Sequence, residues 1–185
     1  ADNLQKTGVK VCLDPSGDAE VELKRTFTGL EIENHGFLDL LRRSESDKRK
    51  WIQDHVDYGS LELASYTILP LMGDEVPRTG YEIKGVLRGF ASASTGRLFL
   101  TPCRFSNIFD IKLTAKERIS PIVIRYPYTQ VDSILIAIPE GYRVEGRIFP
   151  VALTTPYGSY DMEVREEGGK LRIKRSFCLR AGTFP

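Results

Sequence analysis

From Arg118 to Arg180 the chain reads as short runs of β-branched and aromatic residues broken by Pro and Gly, a pattern that fits consecutive strands joined by tight turns. Val131 to Ile138 is nearly continuous apolar, with Ile134, Leu135, Ile136, Ala137 and Ile138 in sequence, which predicts a central strand covered on both faces. Pro139-Glu140-Gly141 then supplies a turn, because Pro presets a negative φ and Gly tolerates a positive one. The chain is expected to return as a strand through Tyr142 and Val144 to Ile148. Ile119 to Tyr126 is a further strand candidate, closed by Pro127, which cannot donate to a ladder.

Ser159 to Glu166 and Lys170 to Arg180 flank Gly168-Gly169, a strong hairpin signal that also sets a register. With Glu167 opposite Lys170, counting outward sets Val164 against Ile173, Met162 against Arg175 and Tyr160 against Phe177 on one face. The other face pairs Glu163 with Lys174 and Asp161 with Ser176. Apolar partners then meet on the inner side and opposite charges on the outer, whereas a slip of one residue would oppose apolar to charged. Two pairs fit this pattern poorly. Arg165 faces Arg172, and Arg175 interrupts the apolar row.

The series Arg118-x-x-Pro121-Ile122, Tyr126-Pro127, Ile138-Pro139-Glu140-Gly141-Tyr142 and the hairpin from Tyr157-Gly158-Ser159-Tyr160 to Gly168-Gly169-Lys170-Leu171 resembles the C-terminal β domain of secreted bacterial transglutaminase-like proteins. Asp14 to Leu30, DPSGDAEVELKRTFTGL, resembles the region linking core to C-terminal domain in the same family. The resemblance implies a non-catalytic accessory or interaction domain that packs against or positions the transglutaminase-like core of the same polypeptide. It further implies an extracytoplasmic location, periplasmic or cell-surface, in a Gram-negative bacterium. The catalytic motif of that core is not among these residues.

The 185 residues are 41% hydrophobic and 28% charged, which is ordinary for a globular domain, and one mainly β domain over 1–185 is expected, with a sub-boundary near 117. Lys and Arg number 26 against 25 Asp and Glu, so a net charge of +1 offers no global reason to expect nucleic acid. No run of 18 apolar residues is present, so no membrane span is expected. The opening at Ala1 and the stop at Pro185 straight after a strand read as a mature protein or a piece of a longer one.

In the N-terminal half, Val9, Val11 and Leu13 alternate with Lys10, Cys12 and Asp14 as a half-buried strand, and Val21, Leu23 and Phe27 share the inner face of the next. Asp14-Pro15-Ser16-Gly17-Asp18 between them is a turn. Its two carboxylates fall short of the donor pattern of a calcium loop. After Gly29 the period shifts toward 3.6, giving a helical insert over about residues 30–58: a short helix capped or interrupted at Gly36, then a second from Asp47 to Val56 with Ser46 as N-cap and Trp51, Ile52 and Val56 inward. Lys48-Arg49-Lys50, set among acids, reads as a solvated face. Strands follow at Leu61 to Leu69, Tyr81 to Leu87 and Arg97 to Leu100, with Ser92 to Gly96 a loop. Asn107 to Lys116 is a connecting loop or short edge strand. The fold class is therefore an antiparallel β-sandwich of about 8 to 10 strands with a short helical insert.

Chemistry is hard to build from what remains. The transglutaminase-like family that the chain resembles sets Cys, then His, then Asp in chain order, yet His35 and His55 both precede Cys103 and Cys178, and Cys12 sits on a strand rather than at a helix N-terminus. Cys12, Cys103 and Cys178 match no zinc or redox spacing and read as free thiols, with a bridge between Cys12 and Cys178 the one alternative. Ser94-Thr95-Gly96 lacks a nucleophile elbow. No enzyme, catalytic residue, cofactor or metal site is expected. A second functional class is a carbohydrate- or peptide-binding module with Tyr126, Tyr128, Tyr157 and Tyr160 as an aromatic platform, although alternation puts Tyr160 beside Met162 and Val164 in the core.

Overall fold

The structure is a computed structural model that describes residues 3–56, 60–73, 75–101, 103–106, 120–146 and 149–184. Its strands in chain order are β1 (Leu4–Leu13), β2 (Ala19–Thr28), β3 (Leu61–Met72), β4 (Arg78–Leu87), β5 (Ala91–Ser94), β6 (Arg97–Leu100), β7 (Ile122–Ile124), β8 (Tyr128–Ala137), β9 (Val151–Thr155), β10 (Gly158–Glu167), β11 (Lys170–Leu179) and β12 (Gly182–Phe184). Eight of them form one sheet in the order β3-β4-β2-β1-β8-β11-β10-β9, while β12-β7 and β5-β6 form two small ribbons. The domain is mainly β, antiparallel-dominated and sandwich-like, in agreement with the expected class. Twelve described strands exceed the 8 to 10 expected, because short pieces such as β7 and β12 carry little pattern of their own.

One pairing was not foreshadowed: β1 and β8 run parallel, Leu4 beside Thr129 and Cys12 beside Ala137. This seam joins the four strands of the N-terminal half to the four of the C-terminal half in one continuous sheet. Position 117 lies outside the described residues.

Alternation in β1 and β2 does what the pattern requires, burying every second residue and exposing the intervening charges. Val9, Val11, Leu13, Val21, Leu23, Ile83, Ile134, Ile136 and Ile173 make the inner face. The helical insert contributes to the same core through α1 (Leu30–Asn34), α2 (Phe37–Leu40) and α3 (Glu45–His55). Phe37 packs on Phe27, Tyr81 and Trp51, with ring centroids 4.9, 6.2 and 5.1 Å away, so this insert and the β2–β4 region share one aromatic cluster. Leu98 and Leu100 of the β5-β6 ribbon pack against the core as well.

Five expectations are corrected. β8 is central, but only its Gln130–Ile136 face is buried; Ser133 is exposed and Leu135 half-buried, so a continuous apolar run here does not mean double cover. Tyr142 to Glu145 is not a strand. The Pro139-Gly141 turn forms, with the Tyr142 amide donating to the Pro139 carbonyl at 3.1 Å, but the chain leaves the sheet afterwards; Ile148 is outside the described residues. The N-cap of α3 is Ser44 rather than Ser46: Asp47 stands three residues after Ser44 and its amide donates to Ser44 Oγ at 3.2 Å, whereas Arg49 follows Ser46 at that spacing. Ser92 to Gly96 is a hairpin, β5 turning through Thr95 and Gly96 into β6, not an open loop. The strand foreseen over Ile119 to Tyr126 is confined to Ile122–Ile124, and Asn107 to Lys116 lies outside the described residues.

The Gly168-Gly169 hairpin matches its expected register at every pair, from Glu167 opposite Lys170 to Tyr160 opposite Phe177. Both glycines take positive φ, 57° and 70°.

Candidate interaction face

The sheet has two unlike faces. On the outer one, the registers set Gly8 of β1 beside Ser133 of β8 and Ser133 beside Lys174 of β11. One step along each strand on the same face, Lys10, Leu135 and Arg172 are aligned, and at the other end Lys6 stands beside Val131. β8 therefore forms a floor of small or apolar side chains between two walls of cations: Lys6 and Lys10 on β1, and Lys170, Arg172 and Lys174 on β11. Three depressions, of about 460, 520 and 440 Å³, converge on Ser133. A Cβ added at Gly8 would meet no atom within 4 Å, so the floor is open above it.

Several carboxylates on this face are already engaged, while Glu20 on β2 and Asp161 and Glu167 on β10 make no ion pair among the described residues. Glu22 meets Lys84 at 2.5 Å and Lys10 at 4.0 Å, Glu82 meets Lys24 at 2.7 Å, and Glu163 meets Arg165 at 2.5 Å. The hydrogen bond from Lys84 holds the Glu22 carboxyl below its ordinary value. Among the described residues, no carboxylate stands within salt-bridge distance of Lys6, Lys170, Arg172 or Lys174. The walls thus carry surplus positive charge although the chain as a whole is nearly neutral.

On the inner face beneath the same strands, a polar belt crosses the β1–β8 seam. Arg25 Nε donates to Thr7 Oγ1 at 3.1 Å and its guanidinium also donates to the Phe105 carbonyl at 2.6 Å. Beyond Thr7 comes Asp132, which accepts from Arg175 Nη1 at 2.5 Å and from Ser106 Oγ at 2.6 Å. Arg175 also donates to Gln130 Oε1 at 3.1 Å and lies over the rings of Tyr160 and Phe177. Gln130 Nε2 donates to the Tyr128 hydroxyl, whose pKa burial pushes up to about 12. Phe105 and Ser106, consecutive in the chain, thus link Arg25 on the N-terminal side of the seam to Asp132 on the C-terminal side.

The residues singled out in the sequence scatter over this frame. Cys12 is exposed beside Ala137 on β8, whereas Cys178 lies beside Thr129, eight positions down the same strand, or about 26 Å. A disulfide between them is geometrically excluded. All three cysteines are free thiols. Cys103 sits against Met162, Sγ to Sδ 3.5 Å, and burial raises its thiol pKa, opposite to what a nucleophile requires. His55 stacks on Trp51 and its Nδ1 bonds the Trp51 carbonyl; His35 lies against the Phe27 ring, 3.7 Å from Glu31. Asp14 accepts from Ser16 and Asp18 within the turn, and Asp18 is held by Arg88 and the Gly89 amide. Lys48 pairs with Glu45 at 2.7 Å on the solvated side of α3. The four tyrosines share no ring contact with one another: Tyr128 and Tyr160 belong to the inner face, Tyr157 packs edge-on against Phe184 at 4.8 Å, and Tyr126 is exposed. Among the described residues, no group of three or more His, Cys, Asp or Glu is placed to hold a metal, and no helix is long and apolar enough to cross a membrane.

The cation-walled floor was missed in the sequence, although its signal is present: Lys6-x-x-x-Lys10 and Lys170-x-Arg172-x-Lys174 keep strand period, so each set projects from one face.

Fold and face together define a mainly β domain whose described residues cover one side of the sheet and leave the other open and positively lined. Residues 96–185 match the model of a family described as a domain of unknown function with a solved structure, DUF3858. The matched range takes in β6 to β12, and hence the whole C-terminal half of the sheet. No curated protein and no solved structure matches the chain.

Proposed function

We propose that this chain is a non-catalytic accessory or interaction domain of a secreted bacterial transglutaminase-like protein, docking against the core of that protein and positioning it. The observation that carries the reading is the open outer face, where exposed small residues and surplus cations lie on the central strands of the sheet. A face of that kind costs little to desolvate at Gly8 and Ser133, while its charged rim selects and orients what docks there. The resemblance of the turn and strand series from Arg118 to Leu171 supplies the partner, and with it an extracytoplasmic setting in a Gram-negative bacterium.

The test is co-purification of the 185-residue chain with a separately expressed transglutaminase-like core. Retention of the core, with no gain of thiol-dependent turnover by the chain alone, is the expected result. Failure of the two to associate at low ionic strength, or turnover that disappears on replacing Cys12, Cys103 or Cys178 by Ser, overturns the proposal.

A further inference from the structure

We infer that the floor over β8 binds an extended acidic polypeptide segment whose carboxylates recur at alternate positions. The inference rests on the interaction-domain reading and names the chemistry of what docks. Lys170, Arg172 and Lys174 repeat every second residue of β11, about 6.7 Å apart, and Lys6 and Lys10 share one face of β1 at twice that spacing, about 13 Å, with Gly8 between them. The walls stand two strand spacings apart, about 9.6 Å, with Val131, Ser133 and Leu135 between them. An extended chain laid along β8 has that same two-residue repeat, so acidic side chains at successive alternate positions stay in step with the cations. A contiguous acidic run would send every second carboxylate away from the walls.

The floor also argues against other polyanions. None of the residues lining the three depressions is aromatic, so bases and sugar rings find no stacking surface there. β8 is paired on both sides, by β1 and β11, and has no free backbone edge to offer. Recognition therefore runs through side-chain charge, and binding is weak and strongly salt-dependent.

The probe is a fluorescently labelled alternating Glu-Thr peptide of about ten residues, the length of β8, titrated against the full chain by anisotropy beside a block isomer of the same composition. The alternating peptide is expected to bind more tightly than the block isomer, and added salt near 0.3 M to weaken it about tenfold or more. Arg172→Glu with Lys174→Glu should abolish binding, Lys6→Glu on the opposite wall should weaken it, and Arg49→Glu with Lys50→Glu on α3 should leave it unchanged. Equal binding of both isomers, equal loss in the α3 variant, absence of binding at low salt, or tighter binding of a sulfated oligosaccharide or single-stranded DNA each overturns the inference. Retention of the transglutaminase-like core by the Arg172→Glu, Lys174→Glu variant would sink the inference and leave the accessory role standing. Peptide binding without core association would do the reverse.

Discussion

Asp132 and Arg175 meet at 2.5 Å across the β8–β11 pair with side chains only 1% and 2% exposed, the one ion pair of the described residues enclosed on the inner face. Two charges so enclosed cost several kcal/mol each to desolvate, and their attraction offsets this only while both are present. Ser106, Gln130 and the rings of Tyr160 and Phe177 complete their surroundings. Asp132→Ala or Arg175→Met alone is expected to lower the unfolding free energy by about 3–5 kcal/mol, and Asp132→Leu combined with Arg175→Met to recover most of it. Urea titrations of the three variants check this. Single losses below about 1 kcal/mol would show that the pair is not enclosed as described.

Glycine substitutions separate close approach from open space. A Cβ at Gly158 would fall on the Cys178 carbonyl oxygen of the neighbouring strand, so Gly158→Ala should cost about 1–3 kcal/mol. Gly8→Ala, with nothing near, should be neutral or add up to about 1 kcal/mol by restricting the unfolded chain. Thermal melts of both variants make the comparison.

Gly169→Val forces a β-branched residue to φ near 70° in the β10–β11 turn and should cost at least about 1–2 kcal/mol. Lys174→Glu, on the exposed side of the same hairpin, should cost less than about 1 kcal/mol. Reversal of that order in denaturant midpoints would contradict the register.

Acid sensitivity should centre on Arg88, which donates to Asp18 at 2.8 Å and Glu62 at 2.9 Å. Hydrogen bonds from Arg88 lower both carboxyl pKa values, so their contribution is fully present above the ordinary carboxylate range near pH 4 and is lost as pH falls through the lower folded values. The melting temperature should therefore drop below about pH 4, less steeply in Arg88→Gln and in high salt. An unchanged acid limb in that variant would count against the assignment.

Thiol reactivity should follow burial and pKa. Cys12, exposed, should react first with a disulfide reagent near pH 8, and Cys103, whose thiol burial raises, last. Intact mass should not change on reduction. A Cys103 that reacts first would overturn the account of its surroundings.

Local pattern carried much of this fold. The alternation around Val9 and Val21 and the glycine pair at 168 and 169 are short-range signals; the first led to the right strands and face, and the second to the right register as well. Where the reading failed, the deciding partner lay far along the chain. Arg175 looked like a fault in an apolar row because Asp132, forty-three positions earlier, does not advertise itself inside an apolar strand. Likewise Leu135 suggested double cover, since an apolar residue on an open face and one in a core look alike in sequence. The cationic walls were legible only once β1 and β11 were known to flank one strand, because Lys6 and Lys174 stand on either side of β8 yet lie far apart along the chain.

The parallel seam also dictates how such a chain is made. Leu4 pairs with Thr129, 125 positions on, so whenever the N-terminal strands order before β8 does, β1 stands as a bare edge. Until β8 arrives, that edge is an open template for any extended strand nearby. Completion of the sheet thus waits on the second half, and production yield should respond to whatever shields β1 during the interval.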